Sequence, residues 1–239
     1  MTATFDGRVA LVTGAARGMG LATAERLLAL GARVAVNDVS RDQIESVAAK
    51  LGSNALAVAA DITDRAAVDA MVTKITDHFE KIDVLINNAG ILRDRMVFSM
   101  TEADFDAVIN VHLKGTFATT HHASVFWRET VKAGGEAFGR IVNPSSPSGI
   151  YGNVGQSNYG AAKAGIAAFS VITAMELVKY GVTVNCLAPA AYTRMTAELP
   201  GFNHLDEEGQ EDMGPRWISV ITAWLCSDAA QNVTGRVFD

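Results

Sequence analysis

The sequence predicts an α/β protein built on one parallel sheet, doubly wound, with helices on both faces. Three features carry that expectation. Apolar runs of four to six residues alternate with helical patterns along nearly the whole chain, with no linker and no internal repeat. A glycine-rich turn, T-G-A-A-R-G-M-G at 13–20, directly follows the first run. Asp38 and Asp61 stand at the carboxyl ends of the next two runs, where such sheets hold ligands.

The elements follow in order. Residues 8–13 (R-V-A-L-V-T) read as a strand buried on both faces. A helical pattern through Leu21, Ala24, Leu27 and Leu28 then stops at Gly31. Residues 32–37 are the second strand, 43–51 a helix and 55–60 the third strand. Asp64 opens a long amphipathic helix to about Phe79, and 83–86 form the fourth strand before N-N-A-G at 87–90. Thr101 caps a helix that continues to about Val131 with a break near Asn110. Residues 139–143 are the fifth strand, 157–180 a helix and 182–187 the sixth strand. From 193 to 217 periodicity fades, and Glu198, Asp206, Glu207, Glu208, Glu211 and Asp212 accumulate. This stretch is expected to leave the sheet as a mobile, solvated excursion that covers substrate. Residues 217–226 are helical, and Arg236-Val237-Phe238 begins another strand. Residues 1–239 thus form one domain.

Composition narrows the function classes. Hydrophobic residues make up 49% of the 239, enough for a large core. With a formal net charge of −6 and no run of Lys or Arg, no footprint for nucleic acid or an anionic membrane is expected. No uninterrupted apolar stretch reaches ~18 residues, so no membrane span is expected. The first residues lack the basic start and apolar core of a signal peptide. Cys186 and Cys226 read as two buried structural thiols, with a cytoplasmic location. His121-His122 does not make a metal site, because neighbours on a helix diverge by about 100°. Those two read as surface or interface histidines, and His78, His112 and His204 have no visible partner in the sequence.

The turn at 13–20 suits a pyrophosphate. Gly14, Gly18 and Gly20, with Arg17 and Met19 between them, let phosphate oxygens approach backbone N–H groups at a positive helix end. Asp38 can accept both hydroxyls of an adenine ribose and repel a 2′-phosphate, which argues for NAD. Arg17 could instead reach a 2′-phosphate, which keeps NADP open. Asp61, followed by Ile62, either borders an adenine or merely caps a turn.

The chemical centre lies in 146–163, S-P-S-G-I-Y-G-N-V-G-Q-S-N-Y-G-A-A-K. Tyr159 and Lys163, four apart, share one helix face. A phenol ionises near pH ~10, and a fixed ammonium beside it lowers that value towards neutrality. Ser146 enters from the strand at 139–143, placed to meet the same reacting oxygen. An ordinary amphipathic helix with a snorkelling lysine would give the same spacing.

Taken together and in order, these motifs resemble the short-chain dehydrogenase/reductase family: T-G-x-x-x-G-x-G at 13–20, N-N-A-G at 87–90, Asn110, Ser146 and Y-x-x-x-K at 159–163. The likeness runs from Gly7 to about Phe238 and implies a Rossmann-type fold. It implies that Asn88, Ala89 and Gly90 line the adenosine side and that Pro189 and Thr193 border the nicotinamide. It also implies that Asn110 kinks its helix and holds a water in a proton relay to Lys163, although such a residue can equally be satisfied by its own backbone. Lys163 and Tyr159 would also touch the cofactor ribose. A narrower likeness, carried by V-N-D at 36–38, I-L-R-D-R at 91–95, V-H-L-K-G at 111–115, S-G-I-Y-G-N at 148–153 and A-P-A-A-Y-T-R-M at 188–195, is to the (3R)-hydroxyacyl-CoA dehydrogenase units of multifunctional enzymes and to related bacterial 3-oxoacyl reductases.

Three features depart from the wider family. Ala190 stands where glycine usually follows the proline, with one residue fewer before the threonine. Pro144 and Pro147 flank Ser145-Ser146, and Pro147 either stiffens or misplaces the serine. Family chains also commonly run past the position of Asp239 with a glycine pair, so the chain is either truncated or closes that edge differently. The implied reaction interconverts a secondary alcohol and a ketone with NAD(H), Tyr159 acting as general acid/base and Ser146 steadying the oxygen. The expected substrate is a 3-hydroxyacyl or 3-oxoacyl-CoA thioester beside Ser148, Tyr151 and Tyr192. Alternatives are a hydroxysteroid, an acyl-carrier-protein-bound 3-oxoacyl group reduced with NADPH and met by Arg128, Lys132 and Lys179, or a catalytically silent NAD(H)-sensing scaffold. Small residues along the Tyr159 helix, from Ala161 to Ala168, allow close approach by the sheet or by another subunit's helix, and the resemblance implies a homodimer or homotetramer that uses this helix and the one ending near Val131.

Overall fold

β1 (Val9–Thr13) is buried along its whole length. Its side chains alternate between two cores. Ala10 and Val12 pack with Leu27, Val36 and Ile86 on one face of the sheet. Val9 and Leu11 pack with Met71, Ile75 and Val184 on the other. A strand covered on both faces needs an unbroken apolar run, and 9–13 supplies one. The structure is a computed structural model that describes residues 4–193, 196–197 and 203–239.

Among the described residues, seven strands form one sheet: β1, β2 (Arg33–Asp38), β3 (Ala55–Ala59), β4 (Val84–Ile86), β5 (Gly139–Pro144), β6 (Val182–Leu187) and β7 (Val237–Phe238). All neighbours pair in parallel, in the order β3-β2-β1-β4-β5-β6-β7. The chain winds outward from β1 to β3, then returns to lay β4 against the other side of β1. That reversal opens a crevice at the carboxyl ends of β1 and β4, where ligands bind in sheets of this kind. Helices α1 (Gly18–Ala29), α2 (Arg41–Leu51), α3 (Arg65–Phe79), α4 (Glu102–Ile109) and α5 (Gly115–Lys132) follow the pattern read from the sequence, their ends shifted by a residue or two. Asp64 caps α3 by accepting from the Ala66 and Ala67 amides. Thr101 and Asp104 form a reciprocal capping box at the start of α4.

The structure departs from the sequence reading at three places. The break near Asn110 is a π-turn, Asn110–Lys114, which inserts one wide turn between α4 and α5. A short helix, α6 (Pro147–Ile150), follows β5, begun by Ser146 as cap and Pro147 in the first turn. The acidic excursion contains α8 (Glu207–Asp212), capped by the Asp206 side chain. Six polar residues have no apolar period to betray a helix. α9 (Pro215–Leu225) then returns to pack on α1. Arg194, Met195 and 198–202 of that excursion lie outside the described residues.

α7 (Ser157–Leu177) carries Tyr159 and Lys163 and packs on β5 and β6. With the 3-10 turn after it, to Tyr180, it is long and apolar enough to cross a membrane by length and composition, with a mean hydropathy of 1.5. The run-length reading missed this because Ser, Thr, Lys and Glu interrupt the apolar residues. Both thiols are free and buried, Cys226 pushed up to about 12 by desolvation.

Candidate active site

The crevice between β1 and β4 is built by two turns that hold each other. The Asn88 amide donates to the carbonyls of Thr13 (3.1 Å) and Gly14 (3.0 Å), and the Ala89 N–H donates to Thr13 Oγ1 (3.1 Å). Close approach demands glycine. A Cβ on Gly14 would lie 2.7 Å from Ala89 Cα, and one on Gly20 would lie 2.4 Å from the Gly14 carbonyl oxygen. Gly18, at φ +59°, opens α1, and the space over its Cα is clear. Arg17 occupies the cap position of α1 without a side-chain bond to the first turn. The first N–H groups of α1 thus face the crevice uncapped, with Met19 half-buried beside them.

Asp38 ends β2 half-buried, its Oδ1 accepting from the Ser40 amide at 3.4 Å. Arg17 is exposed. Asp61 is exposed and takes the turn-capping role, accepting from both the amide and the hydroxyl of Thr63 at 2.8 Å. Ile62 beside it is buried, and Gly115 leaves room for its Cδ1. An open helix N-terminus beside glycines that admit close approach, with a carboxylate at the end of β2, fits a dinucleotide.

Ser146, Tyr159 and Lys163 converge past the end of β5. Pro147 holds Ser146 extended (φ −164°, ψ 151°), and Ser146 Oγ accepts from the Ser148 amide at 3.1 Å. The proline therefore stiffens the serine rather than displacing it. Ser146 stands close enough to the Tyr159 phenol to oppose the rise of its pKa. Lys163 is buried, donates from Nζ to the Pro144 carbonyl, and lies 5.6 Å from the Tyr159 ring centroid.

Electrostatics here differ from the sequence reading. Burial raises the Tyr159 phenol above its ordinary value; the Ser146 side chain opposes this and the Asp94 carboxylate reinforces it. Lys163 is itself pushed down to about 8 by desolvation. Its ammonium is engaged by a carbonyl and stands off the ring, so it does not produce the depression expected of it.

Asn110 opens the π-turn and contributes its backbone carbonyl, which accepts from the Gly115 amide. The residue of that turn that enters the site is His112. It is buried, stands edge-on to Tyr159 with centroids 5.1 Å apart, and places Nε2 against the Ile91 backbone. Sequence reasoning passed over it because Asn110 was the more visible polar break in an apolar helix.

Residues 8–202 match the short chain dehydrogenase family. The chain belongs to that family. Its relatives include the hydroxyacyl-CoA dehydrogenase ChsB1 of Mycobacterium tuberculosis, 45% identical over 99% of this chain and 78% of that protein. Another is the peroxisomal multifunctional enzyme type 2 of mouse, 37% identical over 97% of this chain and 31% of that larger protein. Among solved structures, the 3-ketoacyl-(acyl-carrier-protein) reductase of Brucella melitensis complexed with NADH superposes with a TM-score of 0.90 at 31% identity, covering 99% of this chain and 97% of that one.

Around Ser146, Tyr159 and Lys163 of this short-chain dehydrogenase, a polar clip joins the β4 exit to the start of α7. The Gln156 amide donates to Asp94 Oδ2 (2.8 Å), while Gln156 Oε1 accepts from the Ser148 hydroxyl (2.7 Å) and the Asn153 amide (3.1 Å). The Asn158 amide donates to the Arg93 carbonyl at 3.0 Å. The sequence assigns Asp94, Gln156 and Asn158 no role in the site, because their partners are brought together only by the fold. Ser148 is thus held by the protein itself. Tyr151 is 73% exposed and donates to Asp239 Oδ2 at 2.8 Å. Pro189 and Tyr192 are half-buried, the Tyr192 amide donating to the Met213 carbonyl. The Thr193 amide donates to Thr196 Oγ1 at 2.8 Å.

Proposed function

We propose that the protein is an NAD(H)-dependent dehydrogenase that interconverts 3-hydroxyacyl and 3-oxoacyl-CoA thioesters. The convergence of Ser146, Tyr159 and Lys163 beside the β1–β4 crevice carries this reading. The name of the 45% identical mycobacterial relative supports the thioester, and Asp38 at the end of β2 supports NAD.

Gly14, Gly18, Gly20 and the uncapped start of α1 would hold the pyrophosphate, Asp38 the adenine ribose, and Lys163 the nicotinamide ribose. A nicotinamide held there would supply or accept the hydride at the substrate carbon. In reduction, Tyr159 transfers its phenolic proton to the carbonyl oxygen, while Ser146 Oγ donates a hydrogen bond to that oxygen as charge develops. In oxidation, the tyrosinate removes the alcohol proton. A raised phenol pKa keeps Tyr159 protonated at neutral pH, which suits it to the reductive step. We assign the working form to a homodimer or homotetramer.

The test is the initial rate of acetoacetyl-CoA reduction with NADH and NADPH in parallel. A clear NADH preference is expected. Preference for NADPH would give Arg17 the deciding role and favour a 3-oxoacyl reductase, the activity named for the Brucella structure. Cofactor binding without turnover of thioester, steroid or simple ketone would leave only a nucleotide sensor.

A further inference from the structure

His112 touches both halves of the site. Its Nε2 lies 3.1 Å from the Ile91 amide nitrogen and 2.8 Å from the Ile91 carbonyl oxygen. Its ring stands at 83° to that of Tyr159. A Cβ on Gly90 would come within 2.4 Å of His112 Cε1, so the ring closes directly onto the turn that lines the crevice. The π-turn explains how a helix delivers this side chain, since the extra residue breaks the ordinary spacing between α4 and α5. Burial, with the Lys163 ammonium acting the same way, pushes the imidazole down to about 3. A neutral ring carries one N–H, so Nε2 either accepts from the Ile91 amide or donates to the Ile91 carbonyl. Nδ1 is buried with no partner among the described residues.

We propose that His112 is the positioning residue for Tyr159: its Nε2 bond to the Ile91 backbone ties the π-turn to the Gly90 turn, and that tie, rather than the ring face, sets the phenol against Ser146. The proposal rests on Tyr159 being the acid/base of the reaction. The groups facing the phenol are Ser146 from the start of α6, Asp94 from the β4 exit, Lys163 from α7 itself and His112 from the π-turn. A phenol that drifts from Ser146 loses the one contact that lowers its pKa.

Two substitutions separate the ring from the clamp. His112→Phe keeps the ring and loses the Ile91 bond; His112→Gln keeps a donor and an acceptor at the reach of Nε2 and loses the ring. In acetoacetyl-CoA reduction, His112→Phe is expected to lower kcat roughly 10- to 100-fold, as a small misplacement of a catalytic group does, with KM little changed. His112→Gln is expected to recover most of that loss. The second readout needs no substrate: the titration of Tyr159, taken as the tyrosinate absorbance difference between each protein and its Tyr159→Phe counterpart. It should move to higher pH in His112→Phe and stay near the wild-type position in His112→Gln. A phenylalanine variant with wild-type kcat and wild-type titration overturns the proposal, as does a glutamine variant whose Tyr159 titration moves away from the wild-type pH. The glutamine variant decides alone if the phenylalanine variant does not fold. Absence of wild-type turnover would count against the thioester reading, and the Tyr159 titration would still judge His112.

Discussion

A buried phenol resists ionisation, and the direction of its shift makes the two directions of the reaction respond oppositely to pH. Reduction needs the Tyr159 O–H and oxidation needs the tyrosinate. Burial raises the pKa, with only the Ser146 side chain pulling against it. Ketone reduction is therefore expected to hold level across neutral pH and to fall only on the alkaline side. Alcohol oxidation should climb with pH over the same alkaline range. Tyr159→Phe should abolish both limbs, lowering turnover by roughly 10²- to 10⁴-fold, the usual worth of a positioned acid or base, while NADH still binds. Paired pH–rate profiles of wild type and variant check this. Equal residual rates in the two proteins would remove Tyr159 from the chemistry. At this scale the sequence was legible where function follows from spacing: Tyr159 and Lys163 lie one helical turn apart whatever surrounds them. It was silent on His112, whose importance comes from a turn geometry that has no sequence signature and from a partner, Ile91, supplied by another element. The sign of the Tyr159 shift was misjudged for a related reason. Sequence shows that an ammonium is near, but not that the Pro144 carbonyl already engages it.

The elements meet at the two turns of the crevice, and their contact is tight enough to be tested by a single methyl group. Gly20 sits in the first turn of α1, where a Cβ would lie 2.4 Å from the Gly14 carbonyl oxygen and 2.5 Å from the Asn88 side-chain nitrogen. Both atoms belong to the bond that ties the glycine turn to the N-N-A-G turn. Gly20→Ala must therefore part these turns, and overpacking of this kind costs about 1–3 kcal/mol. If the displaced loop regains its place only when cofactor binds, that cost appears as a roughly 5- to 150-fold weaker NADH affinity. Fluorescence titration of NADH measures it, and an unchanged Kd would show that the turn does not form the nucleotide site. The strands, by contrast, carried their identity openly, because burial on both faces favours apolar, β-branched stretches such as V-A-L-V at 9–12, and the same burial holds along 182–187 although Thr183 and Asn185 interrupt it. α8 did not, since a short helix held by an Asp206 cap and its own end charges needs no apolar stripe.

Over the whole molecule, the sheet explains why widely separated motifs work together: each catalytic or binding segment leaves the carboxyl end of a strand, and one reversal of strand order brings those ends around one crevice. The same winding leaves α5 and α7 side by side on an outer face, with Phe117 and Phe169 rings 6.4 Å apart. Phe117, Val125, Ile172 and Met175 are exposed there, Met175 by 75%. Apolar side chains gathered on one face of a folded protein mark an interaction surface. A self-complementary pairing about a two-fold axis would cover both copies at once. On another face, α9 exposes Trp217, Val220 and Trp224, and Val237 of the edge strand β7 is exposed as well. Two such surfaces, each used once, would build a tetramer as a dimer of dimers. Sedimentation at micromolar concentration should therefore find a dimer or tetramer. Ile172→Glu with Met175→Glu, which places like charges across the α5–α7 pairing, should remove that interface and lower the assembly state. Trp224→Glu should stop a tetramer at the dimer. A monomeric wild type would defeat the assembly reading, and because Tyr159 and Lys163 lie in the first two turns of α7, well before Ile172 and Met175, it would do so without touching the proposed chemistry.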